Sequence, residues 1–200
     1  YFSSVRDSYT ESMLKAVGID KVVNTGCPTM WNLTPDHCAR IPLKKAPAVV
    51  TTITDYNFSE KEEKLMIQTL MKNYEKVYIW IQGDKDLEKI KAIGLIENLH
   101  IIAPNLYDYD LILRSQDVDY VGTRLHAGIR AIQAQKRALI VAVDNRAKEI
   151  AGDKTLNVIE RGDILGLHNF INSDFETMIK VKSENINFFR NQLKNIDYNI

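Results

Sequence analysis

The sequence has no surplus of charge of either sign: 26 Lys and Arg balance 26 Asp and Glu over 200 residues. A formally neutral chain projects no long-range field toward nucleic acid or a membrane surface, so neither is an expected partner, and any bound anion must be held by local groups. Cysteine is scarce. Cys27 and Cys38 have no Cys-x-x-Cys spacing and no histidine cluster beside them, which excludes a disulfide framework and a zinc pattern. No other metal-ligand set is visible, and no metal or cofactor is expected. Apolar runs such as Ala138 to Val143 fall far short of the roughly 20 residues that a membrane-spanning helix needs. No stretch reads as a secretory leader, and no internal repeat or low-complexity tract is present. The first residue is Tyr1 rather than Met, and Tyr1 to Val5 has the character of a strand already under way. A piece of a longer cytoplasmic protein is therefore expected.

What is there is a hydrophobic content of 45%, enough for one well-buried domain or at most two small ones. Candidate strands are Lys21–Asn24, Ala48–Thr54, Val77–Gln82, His100–Ala103, Asp119–Gly122, Ala138–Val143 and Asn157–Ile159. Val77-Tyr78-Ile79-Trp80-Ile81 is apolar at both alternate positions, as a strand covered on both faces requires. Helical periodicity separates the strands. Ser59 with Glu62 makes a capping box ahead of an Ile67, Leu70, Met71, Tyr74 stripe. Ser173 with Glu176 makes a second, opening a long helical stretch that ends near Leu193. The segment after Gly122 places Leu125, Ile129 and Ile132 on its buried side and His126, Arg130 and Gln133 on a more polar one.

Short strand–helix alternation predicts right-handed βαβ units and an α/β fold, a Rossmann-like doubly wound parallel sheet of about six strands with helices on both faces. Counted from Ala48, the fourth strand should lie beside the first. The expected layout is one domain over residues 1–200: a hinge and connector over 1–47, the sheet core over 48–171 and a C-terminal helix over 172–200. Pro28, Pro35 and Pro42 mark Thr25 to Ala46 as irregular.

Open α/β sheets bind ligands beyond the carboxyl ends of their strands, where the strand order reverses. The loop Thr54-Asp55-Tyr56-Asn57 should there meet Gly122-Thr123-Arg124-Leu125-His126, which runs straight into a helix. A helix start offers unpaired N–H groups to a phosphate or carboxylate. Gly122 would let a ligand approach the backbone, and Arg124 adds a fork suited to bidentate anion contact. His126 could move a proton near neutral pH, although most histidines in soluble proteins have no such duty. His100 starts an apolar strand, His37 lies in the Pro-rich connector and His168 in a late amphipathic segment, all favouring structural roles. Both thiols read as inert, since no basic cluster is seen to depress their pKa. The Asp84/Asp86 and Asp108/Asp110 pairs read as helix-start and solvated-face charges.

Asp119-Tyr120-Val121-Gly122-Thr123-Arg124-Leu125-His126-Ala127 resembles the Gly-x-Arg-Leu-His-Ala signature of the polysaccharide pyruvyl transferases. Ser4-Val5-Arg6-Asp7-Ser8-Tyr9-Thr10, followed by Leu14 and Gly18-Ile19, resembles that family's Val-Arg-Asp segment. Val141-Ala142-Val143-Asp144-Asn145-Arg146-Ala147-Lys148 is similar to its strand ending in Asp with a Lys shortly after. The three stretches keep their order and span Val5 to Lys148; the Arg-Leu-His element is the most specific.

The resemblance implies a likeness to the C-terminal half of a GT-B fold, and transfer of pyruvate from phosphoenolpyruvate to a sugar as a cyclic ketal in cell-surface (exopolysaccharide) biosynthesis. The implied acceptor is a sugar or lipid-linked oligosaccharide, with no transmembrane segment in this chain and room for peripheral association at the inner face of the membrane. His126 is the implied proton carrier, acid or base. Arg124 with Gly122 and Thr123 would hold one anionic group of the donor, and Arg6 or Lys148 the other. Cys27 departs from the family's pattern, which carries Asp before Pro, so a polar contact is expected to be missing there. Two rival readings are a GT-B glycosyltransferase donor domain, with Asp144 on the sugar or ribose hydroxyls of a nucleotide-sugar, and a non-catalytic domain of the same fold.

Overall fold

A computed structural model describes residues 1–144 and 156–194 of the chain. Its order is β1 (Ser3–Val5), α1 (Ser8–Ala16), β2 (Val22–Asn24), a 3-10 turn at Pro28–Met30, α2 (Pro35–Cys38), β3 (Ala48–Thr51), α3 (Glu60–Asn73), β4 (Lys76–Trp80), α4 (Asp84–Ile93), a 3-10 turn at Ile96–Asn98, β5 (His100–Ile102), α5 (Leu106–Ser115), β6 (Val118–Gly122), α6 (Leu125–Gln133), β7 (Ala138–Ala142), β8 (Val158–Glu160), α7 (Ile164–Asn172) and α8 (Ser183–Lys194).

Six strands form one sheet in the order β5-β4-β3-β6-β7-β8, and every neighbouring pair is parallel. Counted from β3 this is 3-2-1-4-5-6, the Rossmann-like doubly wound order. The predicted first and fourth strands are neighbours, with Ala48 level with Val118. Successive β3 residues face opposite ways, as pleating demands. Val49 packs with Ile67 and Leu70 of α3, Ile90 of α4 and Leu167 of α7. Val50 packs with Tyr109 and Leu113 of α5, Ile129 and Ile132 of α6, and Met30, Leu33 and Ile41 of the connector. Apolar residues on both faces of the strands thus bury two separate cores. A second, two-stranded parallel sheet pairs β1 with β2. Asp7 caps the helix between them, its carboxylate accepting from the Thr10 amide at 2.6 Å.

Three expectations are corrected. Ser59 sits at the N-cap of α3 but its side chain makes no capping bond. Glu62 pairs instead with Arg161 at 2.8 Å, so a tertiary cation draws off the acid that the box needed. Ser173 and Glu176 open no helix. The Ser173 hydroxyl donates back to the Phe170 carbonyl at 3.1 Å, closing α7, and helix resumes only at Ser183. Between them Thr177 and Ile179 are buried, and the pull of that burial holds residues 174–182 against the core without helix. β3 ends at Thr51 rather than Thr54, because Thr52 leaves the ladder to bond the turn after β6.

Candidate functional site

At the point of strand-order reversal, the carboxyl ends of β3 and β6 frame a cleft of about 380 Å³. It gathers Arg6, Thr123, Arg124 and His126, together with Arg130, Asp144, Gln82 and Trp80. Lys148 lies outside the described residues.

Arg124 is held from behind. Its Nε donates to the Ile53 carbonyl at 2.9 Å, and one Nη reaches both carboxylate oxygens of Asp86 at 2.8 Å; Asp55 lies 3.8 Å away. The guanidinium is therefore not an open bidentate fork. Two of its three nitrogens fix its direction, and among the described residues none accepts from the third. Asp86 is no solvated charge: its side chain is 2% exposed and it also accepts from the Gln82 amide at 3.1 Å. Asp110 likewise pairs with Arg130 at 2.5 Å, which holds that carboxyl below its ordinary pKa. The cleft is cationic in residue type, but Arg124 and Arg130 are braced by acids that the sequence reading took for helix-start and solvated-face charges; Asp86 is indeed at a helix start, with a guanidinium as its partner.

Thr123 and Gly122 do different work from that expected of them. The Thr123 amide and hydroxyl both donate to the Thr52 carbonyl, at 3.1 and 3.2 Å, and the Arg124 amide donates to the Thr52 hydroxyl at 3.2 Å. A Cβ on Gly122 would lie 2.6 Å from Thr52 Oγ1, 2.7 Å from the Thr52 nitrogen and 2.8 Å from the Tyr120 hydroxyl. The space beside Gly122 is filled by protein, so glycine there serves the close packing of β6 on β3 rather than the approach of a ligand. Gly122→Ala is expected to cost about 1–3 kcal/mol through overpacking, and to lower activity as well, because Thr52 carries the Arg124 turn. Denaturant unfolding of the variant checks the first and turnover the second.

The α6 start is formed as predicted. The first i→i−4 bond runs from Gly128 to Arg124 at 3.2 Å, so the amides of residues 125–127 precede the helical ladder and are available to an anion. His126 is exposed on this first turn. Its Nε2 lies 3.6 Å from Cys27 Sγ, and that sulfur is 3.0 Å from Thr29 Oγ1. Polar contacts are thus made at Cys27 by its thiol, with partners that the sequence did not show beside it. Burial pushes its pKa up, but the bonds with His126 and Thr29 outweigh burial and bring it down to about 7. Cys38, buried without such partners, is shifted upward. His37 is structural, bonding the Ile132 carbonyl at 2.8 Å.

Asp86 and Cys27 are the residues that sequence reasoning missed. Their one available signal was position: Asp86 follows the strand beside β3, and Cys27 follows β2 directly before a proline. No helix among the described residues is long and apolar enough to cross a membrane. No curated protein matches the chain. A family model for polysaccharide pyruvyl transferases matches residues 1–145, which takes in β1 through β7 and each side chain placed in the cleft above. With most of its length so matched, and Arg124 and His126 set at a switch-point helix start, the chain belongs to the polysaccharide pyruvyl transferase family.

Proposed function

We propose that this cleft binds phosphoenolpyruvate and transfers its pyruvyl group to a sugar as a cyclic ketal. The observation that carries the reading is the meeting of Arg124, His126 and the first amides of α6 in one cleft with Arg6 and Arg130. Phosphoenolpyruvate carries a phosphate and a carboxylate on one small skeleton, so its site needs at least two cationic anchors. Arg124 with the helix start takes one anion; Arg6 is the candidate for the other, and Lys148 remains a second candidate. A proton delivered to the methylene carbon makes the methyl group while a sugar hydroxyl attacks the adjacent carbon and loses its own proton. The C–O bond to phosphate then breaks, inorganic phosphate leaves, and a second sugar hydroxyl attacks the same carbon to close the ring, its proton passing to the departing phosphate. His126 carries the proton, as acid to the methylene or as base to the hydroxyl. The acceptor is a sugar or lipid-linked oligosaccharide of a cell-surface polysaccharide, the setting is cytoplasmic, and the domain is the donor-side half of a GT-B-like pair.

The test is ligand-induced thermal stabilisation. A ligand at 100 times its Kd adds about 2.7 kcal/mol, or a rise in Tm of roughly 5–10 °C for a domain of this size. Phosphoenolpyruvate is expected to produce that rise and a nucleotide-sugar is not. The reverse result would favour a glycosyltransferase donor site, with Asp144 as its hydroxyl ligand. Arg124→Lys is expected to abolish the rise, because an ammonium gathers its donors on one nitrogen and cannot reproduce the planar fork that reaches Ile53, Asp86 and a ligand from separate nitrogens. Near-normal stabilisation in that variant would place donor binding elsewhere.

A further inference from the structure

Cys27 and His126 are 99 residues apart in sequence and touch at the rim of the cleft. Two groups converge on the sulfur, the imidazole Nε2 at 3.6 Å and the Thr29 hydroxyl at 3.0 Å, and each can donate a hydrogen bond to it. Thr29 lines the cleft beside His126, and Cys27 stands directly behind them, bordering a separate shallow hollow. The opposite ring nitrogen, Nδ1, is taken by no described residue. The charged groups around the pair are few. Arg6, Arg124, Arg130 and Asp144 share the cleft with His126, and Lys180 borders the shallow hollow on the other side of Cys27.

We propose that Cys27 is the positioning residue for His126: its thiolate accepts the Nε2–H, which fixes the ring's tautomer and leaves Nδ1 as the nitrogen that exchanges a proton with substrate. This rests on the reading of His126 as the proton carrier. A neutral imidazole bears one N–H, and the partner of one nitrogen decides where that proton sits. With Nε2–H given to sulfur, the neutral ring presents the Nδ1 lone pair as base. The imidazolium presents Nδ1–H as acid, its charge compensated by the thiolate. The lowered thiol pKa, about 7, keeps a sizeable thiolate fraction at neutral pH. The proton moves at one nitrogen in either direction, and nothing is oxidised or reduced.

Nitrogen-15 NMR of the imidazole, assigned by its loss in His126→Asn, tests this without donor or acceptor. The expected wild-type result is an Nε2–H tautomer. Cys27→Ala is expected to shift the tautomer away from Nε2–H, because the acceptor that holds that proton is gone. Cys27→Asp should restore it. Ultraviolet thiolate absorbance is expected to titrate near 7 in the wild type and toward about 8.5, the ordinary thiol value, in His126→Asn. A purely structural Cys27 would lower Tm in Cys27→Ala while leaving the tautomer where it was, and that outcome overturns the proposal. Because these measurements involve no turnover, the pair and pyruvyl transfer fail separately. An unmoved tautomer with His126-dependent activity sinks only the pair, and a controlled tautomer without activity sinks only the reading of function.

Discussion

Replacing His126 by Asn is expected to lower turnover roughly 100- to 10,000-fold, the usual contribution of a general acid or base, with donor affinity and Tm nearly unchanged. The structural reasons for the separation are specific. His126 is exposed on the first turn of α6, and substitutions at such positions usually alter stability by no more than about 0.5 kcal/mol. The elements proposed to bind the donor's anion, the Arg124 guanidinium and the first amides of α6, are anchored by Thr52, Ile53 and Asp86 and do not depend on the imidazole. Asn keeps a polar group of similar reach, so steric loss is small. A structural histidine predicts the reverse: lower Tm, with activity proportional to the folded fraction. Turnover, phosphoenolpyruvate affinity and Tm measured on one variant decide between them. Turnover within about threefold of wild type, far below the acid–base range, would remove His126 from the chemistry.

The sheet was legible in the sequence because a strand buried on both faces must be apolar at every position, and Val77 to Ile81 or Ala138 to Val143 admit few other readings. The site was legible in part. A Gly-Thr-Arg-Leu-His run between a strand and a helix identifies a helix start, and strand order then places it. What supports Arg124 was not legible. Asp86 lies 38 residues away in sequence, and an acid in the first turn of a helix looks the same whether water or a guanidinium meets it. Gly122 carries the same lesson, since only the coordinates show that Thr52 and Tyr120 fill the space beside it. The two capping boxes failed because local pattern competes with tertiary partners. Glu62 had Arg161 within reach, and residues 174–182 had core to cover. Cys27 needed a partner 99 residues away in sequence, which no local reading supplies.

Arg137→Met is expected to destabilise the fold by about 3–5 kcal/mol, the cost of removing one partner from a buried ion pair, or roughly 6–20 °C in Tm. The Arg137 side chain is 2% exposed and its Nε lies 3.2 Å from Asp119 Oδ2. Its Nη atoms donate to the carbonyls of Leu43, Ser173 and Ile171 at 3.0, 3.0 and 2.8 Å. One guanidinium thus ties the connector and the end of α7 to the base of β6. Methionine fills a similar volume but takes the guanidinium donor from three carbonyls, of which only that of Leu43 keeps a second donor among the described residues, the Phe175 amide at 3.3 Å, and leaves Asp119 without its counter-charge. The Tyr74 hydroxyl, donating at 2.8 Å, and the Ala46 amide, at 3.3 Å, remain. The loss should depend on pH. Burial already raises the Asp119 pKa, against the offsetting pull of Arg137 and Tyr74, and without Arg137 it climbs further. Above the ordinary carboxyl value the folded variant then binds more protons than its unfolded chain, so its stability falls as pH rises through that widened interval. The deficit relative to wild type is expected to be smaller near pH ~4 than at neutrality, and Asp119→Asn added to Arg137→Met should recover part of it. Asp119 lies at the opposite end of β6 from Gly122, so phosphoenolpyruvate affinity per folded molecule should not change. Urea unfolding of the single and double variants at both pH values measures this. A loss below about 1 kcal/mol, well under the buried-pair range, or a deficit larger in acid, would show that the Arg137–Asp119 pair does not hold the base of the sheet.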